Sequence, residues 1–428
     1  MAETTTKDLF DVRLKSHHDS SGLLEKYIPR KNVTEQELQQ VLSQSNNNQK
    51  TIYVHVPYCD KICSFCNLNR SKLDDELDSY ADYVIKDLEK YASTAYVRES
   101  EFGAVYFGGG TPTVFKAKHL EKILKSLRKN YKLTHDYELT METTLHNLKK
   151  PKLEVMKEYG VNRISIGIQS FSDDGRQFYN RTYNKQKVLD RIHNLKDNFG
   201  GFICTDIIYN YPNQTLESVI EDAKLIKNLG ISSSSYYSLM IHQGSSIAQT
   251  SQRPGDITKE KKLYNAFLDE VLKNDEYYIL ELTKVAKKNS DRYRYITIRN
   301  SGGDTLPIGV GSGGNIGDIG TFTMKPGMSF YVQSSPEHLR YNRIGSQFQY
   351  TTISKAKIHP LLLASEKDIF AQKIEWFKQY HYIKEDDNNY YLTRNGVFWG
   401  NNIAKDILET LIENSYGKIE EKGEQAFY

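Results

Sequence analysis

From residue 52 the chain alternates between short apolar runs and stretches with a helical repeat. TIYVHV at 51–56 reads as a strand, and Leu73, Leu77, Tyr80, Val84 and Leu88 then recur on one helical face. AVYF at 104–107 is a second strand, followed by a helix with Leu120, Ile123, Leu124 and Leu127 on one side. YELTMET at 137–143, RISIGI at 163–168, FICTDIIY at 202–209 and SYYSLMI at 235–241 continue the series. The helices between them carry Leu153 and Met156, then Val188, Leu189, Ile192 and Leu195, then a stretch from Thr215 to Gly230. Six strands alternating with helices predict an α/β fold, a parallel sheet with right-handed crossovers. Such a sheet is either open and doubly wound or a partial barrel. In both, ligands bind at the C-terminal ends of the strands.

The pattern also divides the chain. Residues 1–50 read as a polar, irregular N-terminal arm ending in SQSNNNQ, a low-complexity linker. Residues 51–255 hold the alternation. It fades over 256–350, an extension that contains the glycine-rich GVGSGGNIGDIG at 309–320. Residues 351–428 read as a small helical module with a hairpin around NYYLT at 389–393.

Charge narrows the function classes. Lys and Arg total 57 against 54 Asp and Glu in 428 residues, a net +3, so no basic footprint of a nucleic-acid binder is present. The N-terminus lacks an apolar signal core, and no run is long and apolar enough for a membrane span, so a cytoplasmic protein is expected. Of four cysteines, Cys59, Cys63 and Cys66 lie within eight residues, directly after the first strand. Thiolates packed this closely in a large chain of this type indicate metal binding rather than disulfides. They suit an iron–sulfur cluster or zinc. Three ligands on one loop would leave one iron of a four-iron cluster open; a zinc site would draw a fourth ligand from His55 or Cys204. Cys204 otherwise reads as an inert strand residue.

A second signal is FGGGTPT at 107–113, again at a strand end. Its glycines allow close backbone approach, and its amides can bind a polar group. It is no Walker loop, since no Gly-Lys-Ser/Thr follows. Gly309, Gly311 and Gly314 match G-x-G-x-x-G, but no strand-then-helix frame surrounds them, and the match reads as accidental. Glu142, Gln169 and Asp206 at strand ends, with Arg181 in a loop, would together sit at one rim and could bind an amino acid and a ribose. Any one of them alone is more often a satisfied capping or surface group.

YVHVPYCDKICSFC, FGGGTPT, RISIGIQSFSDDGRQFYNR and TDIIYNYPNQT resemble the radical S-adenosylmethionine enzymes of the oxygen-independent coproporphyrinogen III oxidase-like group, over about residues 50–330. The resemblance implies a six-stranded partial (β/α) barrel with a small C-terminal helical or winged module. It implies a [4Fe–4S] cluster on Cys59, Cys63 and Cys66, with His55 beside it. It further implies S-adenosylmethionine held by Tyr53, Phe65, Gly109, Gly110, Thr111, Glu142, Gln169, Arg181 and Asp206, and a small electron donor such as flavodoxin or ferredoxin. The oxidase proper has a further cysteine where this chain has Leu68. The family's Y-G-L-P-G-Q-T is here YNYPNQT at 209–215, and its proline-containing stretch after the acidic residue is here ETTLHN at 142–147. TIRNSGGDTLPIGVGSGGNIG at 297–317 instead resembles the anaerobilin synthase subgroup, which methylates heme and opens the ring without oxygen, releasing iron. A heme chaperone and a porphyrinogen decarboxylase are the alternatives. The sequence points to no porphyrin-binding residue beyond His242 and Met324, whose ordinary readings are a surface histidine and a core methionine.

Overall fold

The computed structural model describes residues 8–16, 21–66, 71–72, 76–242, 245–249 and 256–419; Leu68 and Leu73 lie outside them. The six expected strands are all present: β1 (Lys50–Val56), β2 (Glu101–Gly109), β3 (Lys132–Thr143), β4 (Arg163–Gln169), β5 (Phe202–Tyr209) and β6 (Ser233–Ser238). They pair in parallel in that order. The helices between them bury the apolar faces read from the sequence. Leu77, Tyr80, Val84 and Leu88 are covered on Leu77–Ala92, as are Leu120, Ile123, Leu124 and Leu127 on Ala117–Asn130.

A seventh parallel strand was not expected. β7 (Asp304–Ile308) lies against the outer edge of β1, with Leu306 opposite Ile52 and Pro307 opposite Tyr53. It carries an acid and a proline, which hide it from a search for apolar runs. Asp304 is fully buried, and its carboxylate accepts from Tyr96 Oη (2.8 Å), Asn46 Nδ2 (2.8 Å) and Asn48 Nδ2 (2.9 Å). The asparagine stretch read as a linker is therefore the cap of a buried carboxylate. The arm before it is not irregular either. Helices Ser21–Tyr27 and Glu35–Leu42 form there, the second started by a Thr34–Glu37 capping box with Leu38 and Leu42 buried.

The sheet continues beyond both edges of the parallel set, to thirteen strands in all among the described residues. Next to β6 run Lys284–Lys287 and Tyr277–Glu281. Next to β7 run Gly313–Ile316, Ile319–Lys325, Met328–Gln333 and Lys31–Asn32, all antiparallel. The glycine-rich stretch is thus the start of a β-meander. No helix follows its glycines, in keeping with an accidental G-x-G-x-x-G match. In the C-terminal part helix Ala364–Gln379 packs against Ile383–Glu385 of a three-stranded sheet completed by Asn389–Leu392 and Thr352–Ser354, and helix Gly400–Tyr416 packs against Ala364–Gln379.

Residues 8–16 tie the C-terminal part to the barrel. Arg13 donates to Glu260 Oε1 (2.6 Å), Tyr209 Oη (2.7 Å) and Phe398 O (2.7 Å). Asn402 Nδ2 donates to Val12 O at 2.8 Å, and Trp399 donates to Asp8. Among the described residues no helix is long and apolar enough to cross a membrane.

Candidate functional site

The C-terminal ends of β1 to β6 surround a cavity of ≈ 400 Å³. Cys59, Cys63, Phe65, Cys66, Gly109, Gly110, Thr111, Glu142, Gln169, Arg181 and Asp206 all line it. Tyr53 does not; it sits one layer deeper, stacked on Tyr106 with ring centroids 6.3 Å apart. Residues nearly 150 positions apart meet because each closes a parallel strand, or follows one, on the same side of the sheet.

The cysteine loop is held from several sides. Asp60 accepts from His146 Nε2 (2.6 Å) and from Asn147 Nδ2 (3.2 Å), both on the loop after β3. Ser64 donates to Phe178 O (2.8 Å), and Asn180 donates to Ile62 O (3.3 Å). Phe65 meets the edge of Tyr179 at 5.4 Å. Arg181 Nη1 donates to Cys63 Sγ at 2.8 Å, placing a cation on that sulfur. Burial pushes the Cys59 thiol up; the Thr111 hydroxyl, 3.6 Å away, works in the opposite direction.

The glycine run has two roles: the Gly109 amide bonds the Glu142 carboxylate, and the next two amides serve the chain itself. Gly110 N donates to Val56 O (2.7 Å) and Thr111 N to Tyr58 O (2.8 Å), so these amides are taken up within the chain. Their service is steric. A Cβ on Gly110 would lie 2.5 Å from Tyr58 O, and one on Gly109, whose φ is +106°, would lie 2.6 Å from the His55 ring. Glycine lets the second rim loop press flat against the cysteine loop.

On the opposite wall, Glu142 accepts from Tyr106 Oη at 2.5 Å, and burial pushes its carboxyl up to about 7. Asp206 accepts from Ser165 Oγ at 3.3 Å. Gln169 sits at φ 64°, a left-handed position that costs a non-glycine residue energy. Its turn is pinned from below by Asp222, whose Oδ1 accepts from Phe171 N (3.0 Å). Gln169 Oε1 and Arg181 Nε are buried without a hydrogen-bond partner.

Sequence reasoning missed Tyr106, Tyr237 and Tyr293, which also line the cavity. Tyr106 was within reach, since it shares the inward face of β2 with Gly108, two positions on. Tyr293 arrives from a segment with no periodic signal and meets Tyr106 at a tilt, while Tyr295 stacks on Tyr106. Cys204 is fully buried, its Sγ 3.2 Å from Asp291 Oδ2, and burial pushes its thiol up. None of residues 309–320 lines the cavity. His242 is half-buried just past β6, whereas Met324 is 50% exposed rather than in the core.

Among the described residues no three His, Cys, Asp or Glu side chains are arranged to hold a single metal ion. A four-iron cluster has a different requirement: each cysteine ligates its own iron, so the thiols surround a cube instead of converging on a point. Three soft ligands on one pinned loop fit that group. The unpartnered Gln169 Oε1 and Arg181 Nε, with the carboxylates of Glu142 and Asp206, fit the polar end groups and ribose of S-adenosylmethionine.

Comparison with known proteins bears on the family and the fold. Residues 53–226 match the family model described as the Radical SAM superfamily. The chain is 28% identical to the heme chaperone HemW of Buchnera aphidicola subsp. Schizaphis graminum, over 63% of this chain and 71% of that protein. It is 23% identical to the anaerobilin synthase of Escherichia coli O157:H7, over 87% of both. The solved structure of the E. coli coproporphyrinogen III oxidase HemN superposes with a TM-score of 0.75 at 18% identity, covering 91% of this chain and 98% of that one.

Proposed function

Because the chain belongs to the radical SAM superfamily, in the oxygen-independent coproporphyrinogen III oxidase-like group, we propose that it is an enzyme acting on heme. In this reading it methylates and opens the porphyrin ring without oxygen, yielding a linear tetrapyrrole and free iron. The observation that supports it is the extent of the likeness to anaerobilin synthase, 87% of both chains, which takes in far more than the cofactor barrel.

Members of the superfamily bind a [4Fe–4S] cluster and S-adenosylmethionine. Cys59, Cys63 and Cys66 would hold the first; Tyr53, Phe65, Gly109, Gly110, Thr111, Glu142, Gln169, Arg181 and Asp206 would surround the second. Bound together, the two supply one-electron cleavage of a sulfonium carbon–sulfur bond, which is the cofactor's chemistry and not the protein's. The chain's own residues orient and exclude. Tyr106 fixes the Glu142 carboxylate, Arg181 sets a positive charge beside Cys63, and Asp222 holds the turn that presents Gln169. Tyr53, Tyr106 and Tyr295 stack on one another at the floor of the cavity.

A heme chaperone is the second reading, favoured by the higher identity to HemW. Anaerobic incubation of the reconstituted protein with heme, S-adenosylmethionine and a reductant separates the two. A linear tetrapyrrole and released iron are expected, dependent on all three and lost in Cys63→Ala. Intact heme with only background cleavage of S-adenosylmethionine would establish the chaperone. A decarboxylated porphyrinogen from coproporphyrinogen would make the chain an oxidase.

A further inference from the structure

The hairpin of Ile319–Lys325 and Met328–Gln333 is built inside out. Its covered side carries Thr321, which is buried, while Phe322, Met324, Met328 and Phe330 are 40%, 50%, 37% and 48% exposed. Isolated apolar residues on a surface need no explanation, but a contiguous set on one strand pair marks a binding face.

The ladders tell which way that face looks. Tyr53 pairs with Pro307, and Thr305, two residues before Pro307, pairs with Asn315. Gly313, two residues before Asn315, pairs with Phe322, and Phe322 pairs with Phe330. Since side chains alternate along a strand and partners share a face, Phe322 and Phe330 lie on the same face as Tyr53. The exposed apolar surface therefore continues the inner, cavity-lining face of the sheet past its edge, three strands or about 14 Å from β1.

Its composition suits one kind of ligand. Gly313, Phe322 and Phe330 form a row across three strands, and a Cβ on Gly313 would already touch the Phe322 ring at 3.4 Å, so the row is flat at one end. Two thioethers flank the rings, soft and adaptable contacts for a polarizable surface. Cations stand at the edges: Lys325 is exposed at the tip, and Arg30 Nη1 lies 3.5 Å from the place of a Gly320 Cβ while its Nε pairs with Glu25. A flat apolar body with carboxylates at one edge matches the aromatic row with Arg30 at its side; Lys325 stands at the far end of the same strand.

We propose that this hairpin face is a docking site for heme at the mouth of the cavity, Phe322, Met324, Met328 and Phe330 receiving the macrocycle and Arg30, at one edge of the row, its propionates. It rests on the reading of heme as substrate. The test is titration of ferric heme into the full chain, followed by Soret absorbance, for the wild type and for Phe322→Ser/Phe330→Ser and Met324→Gln/Met328→Gln. Heme affinity should fall about tenfold or more in the first variant, with a shifted Soret band in the second. Affinity for S-adenosylmethionine and iron content should stay as in the wild type, and Phe322→Leu/Phe330→Leu should recover binding. Wild-type heme affinity in both variants would overturn the docking face and leave the heme reading standing. A wild type that binds no heme would remove both. A wild-type dimer split by the variants, with heme affinity unchanged, would assign the face to a second copy of the chain and overturn the proposal.

Discussion

Asp222 shows how one buried side chain can leave a mark on the whole stability profile. It is 1% exposed, Oδ1 is bonded to Phe171 N, and Oδ2 has no partner; burial pushes its carboxyl up to about 7. The folded chain thus keeps a proton that the unfolded chain gives up near pH 4. Stability must fall as pH rises through the window from about 4 to about 7, and stay low above it. Each pKa unit is worth about 1.4 kcal/mol, so the ionised carboxylate costs a few kcal/mol at neutral pH. Asp222→Asn keeps an acceptor for Phe171 and removes the charge. Denaturant titrations should find it more stable than the wild type at pH 8, with the advantage gone at pH 4. Asp222→Ala should instead lose about 1–3 kcal/mol at pH 4, since Phe171 N is left unbonded. Equal pH slopes for wild type and Asp222→Asn would show that the carboxyl titrates normally. Nothing in the sequence singles out Asp222: it lies on a helix among ordinary charged neighbours, and its role depends on a turn fifty residues earlier.

At the scale of elements, the cysteine loop depends on contacts it does not itself contain. Asp60 anchors it to His146 and Asn147, so Asp60→Ala should loosen the loop without unfolding the barrel. Anaerobically reconstituted Asp60→Ala should begin with the iron content of the wild type and lose it several-fold faster on exposure to air, followed by the visible charge-transfer band. Matching decay rates would show that the anchor does not protect the loop. The loop itself was legible because its thiols are adjacent in sequence. The six strands were legible because a parallel strand buried on both faces is a continuous apolar run. β7 was not, since Asp304 and Pro307 break the run. Proline is tolerated because the ladder on that side is reduced to the single pair Thr305–Asn315, so a missing N–H interrupts little. The floor of the site was least legible: Tyr293 and Tyr295 come from a segment without periodicity, whose position is fixed by packing on distant strands.

Across the molecule, the arm of residues 8–16 makes one body of two parts. Arg13 and Glu260 are both nearly sealed from solvent, with side chains 6% and 4% exposed. Arg13→Met would leave that carboxylate buried with only Lys15, at 3.4 Å, to balance it, and should cost about 3–5 kcal/mol in unfolding free energy. Arg13→Met combined with Glu260→Leu should recover most of the loss, because the charge is then removed with its partner. Additive losses in the double variant would mean that the pair is not coupled. The position of β7 has a further consequence, for the order of events during synthesis. Lys50 pairs with Asp304, 254 positions later, so the outer edge of β1 has no neighbour until residue 304 of the 428 has been made. At 5–20 residues per second, that edge stays unpaired on the ribosome for between roughly 13 and 50 s. The three thiols emerge at the start of this interval, beside an open strand and before the wall that will cover them. Iron loading therefore has a natural time at which the loop is accessible, and a nascent chain halted before residue 304 should be the form most prone to pair its bare edge with another.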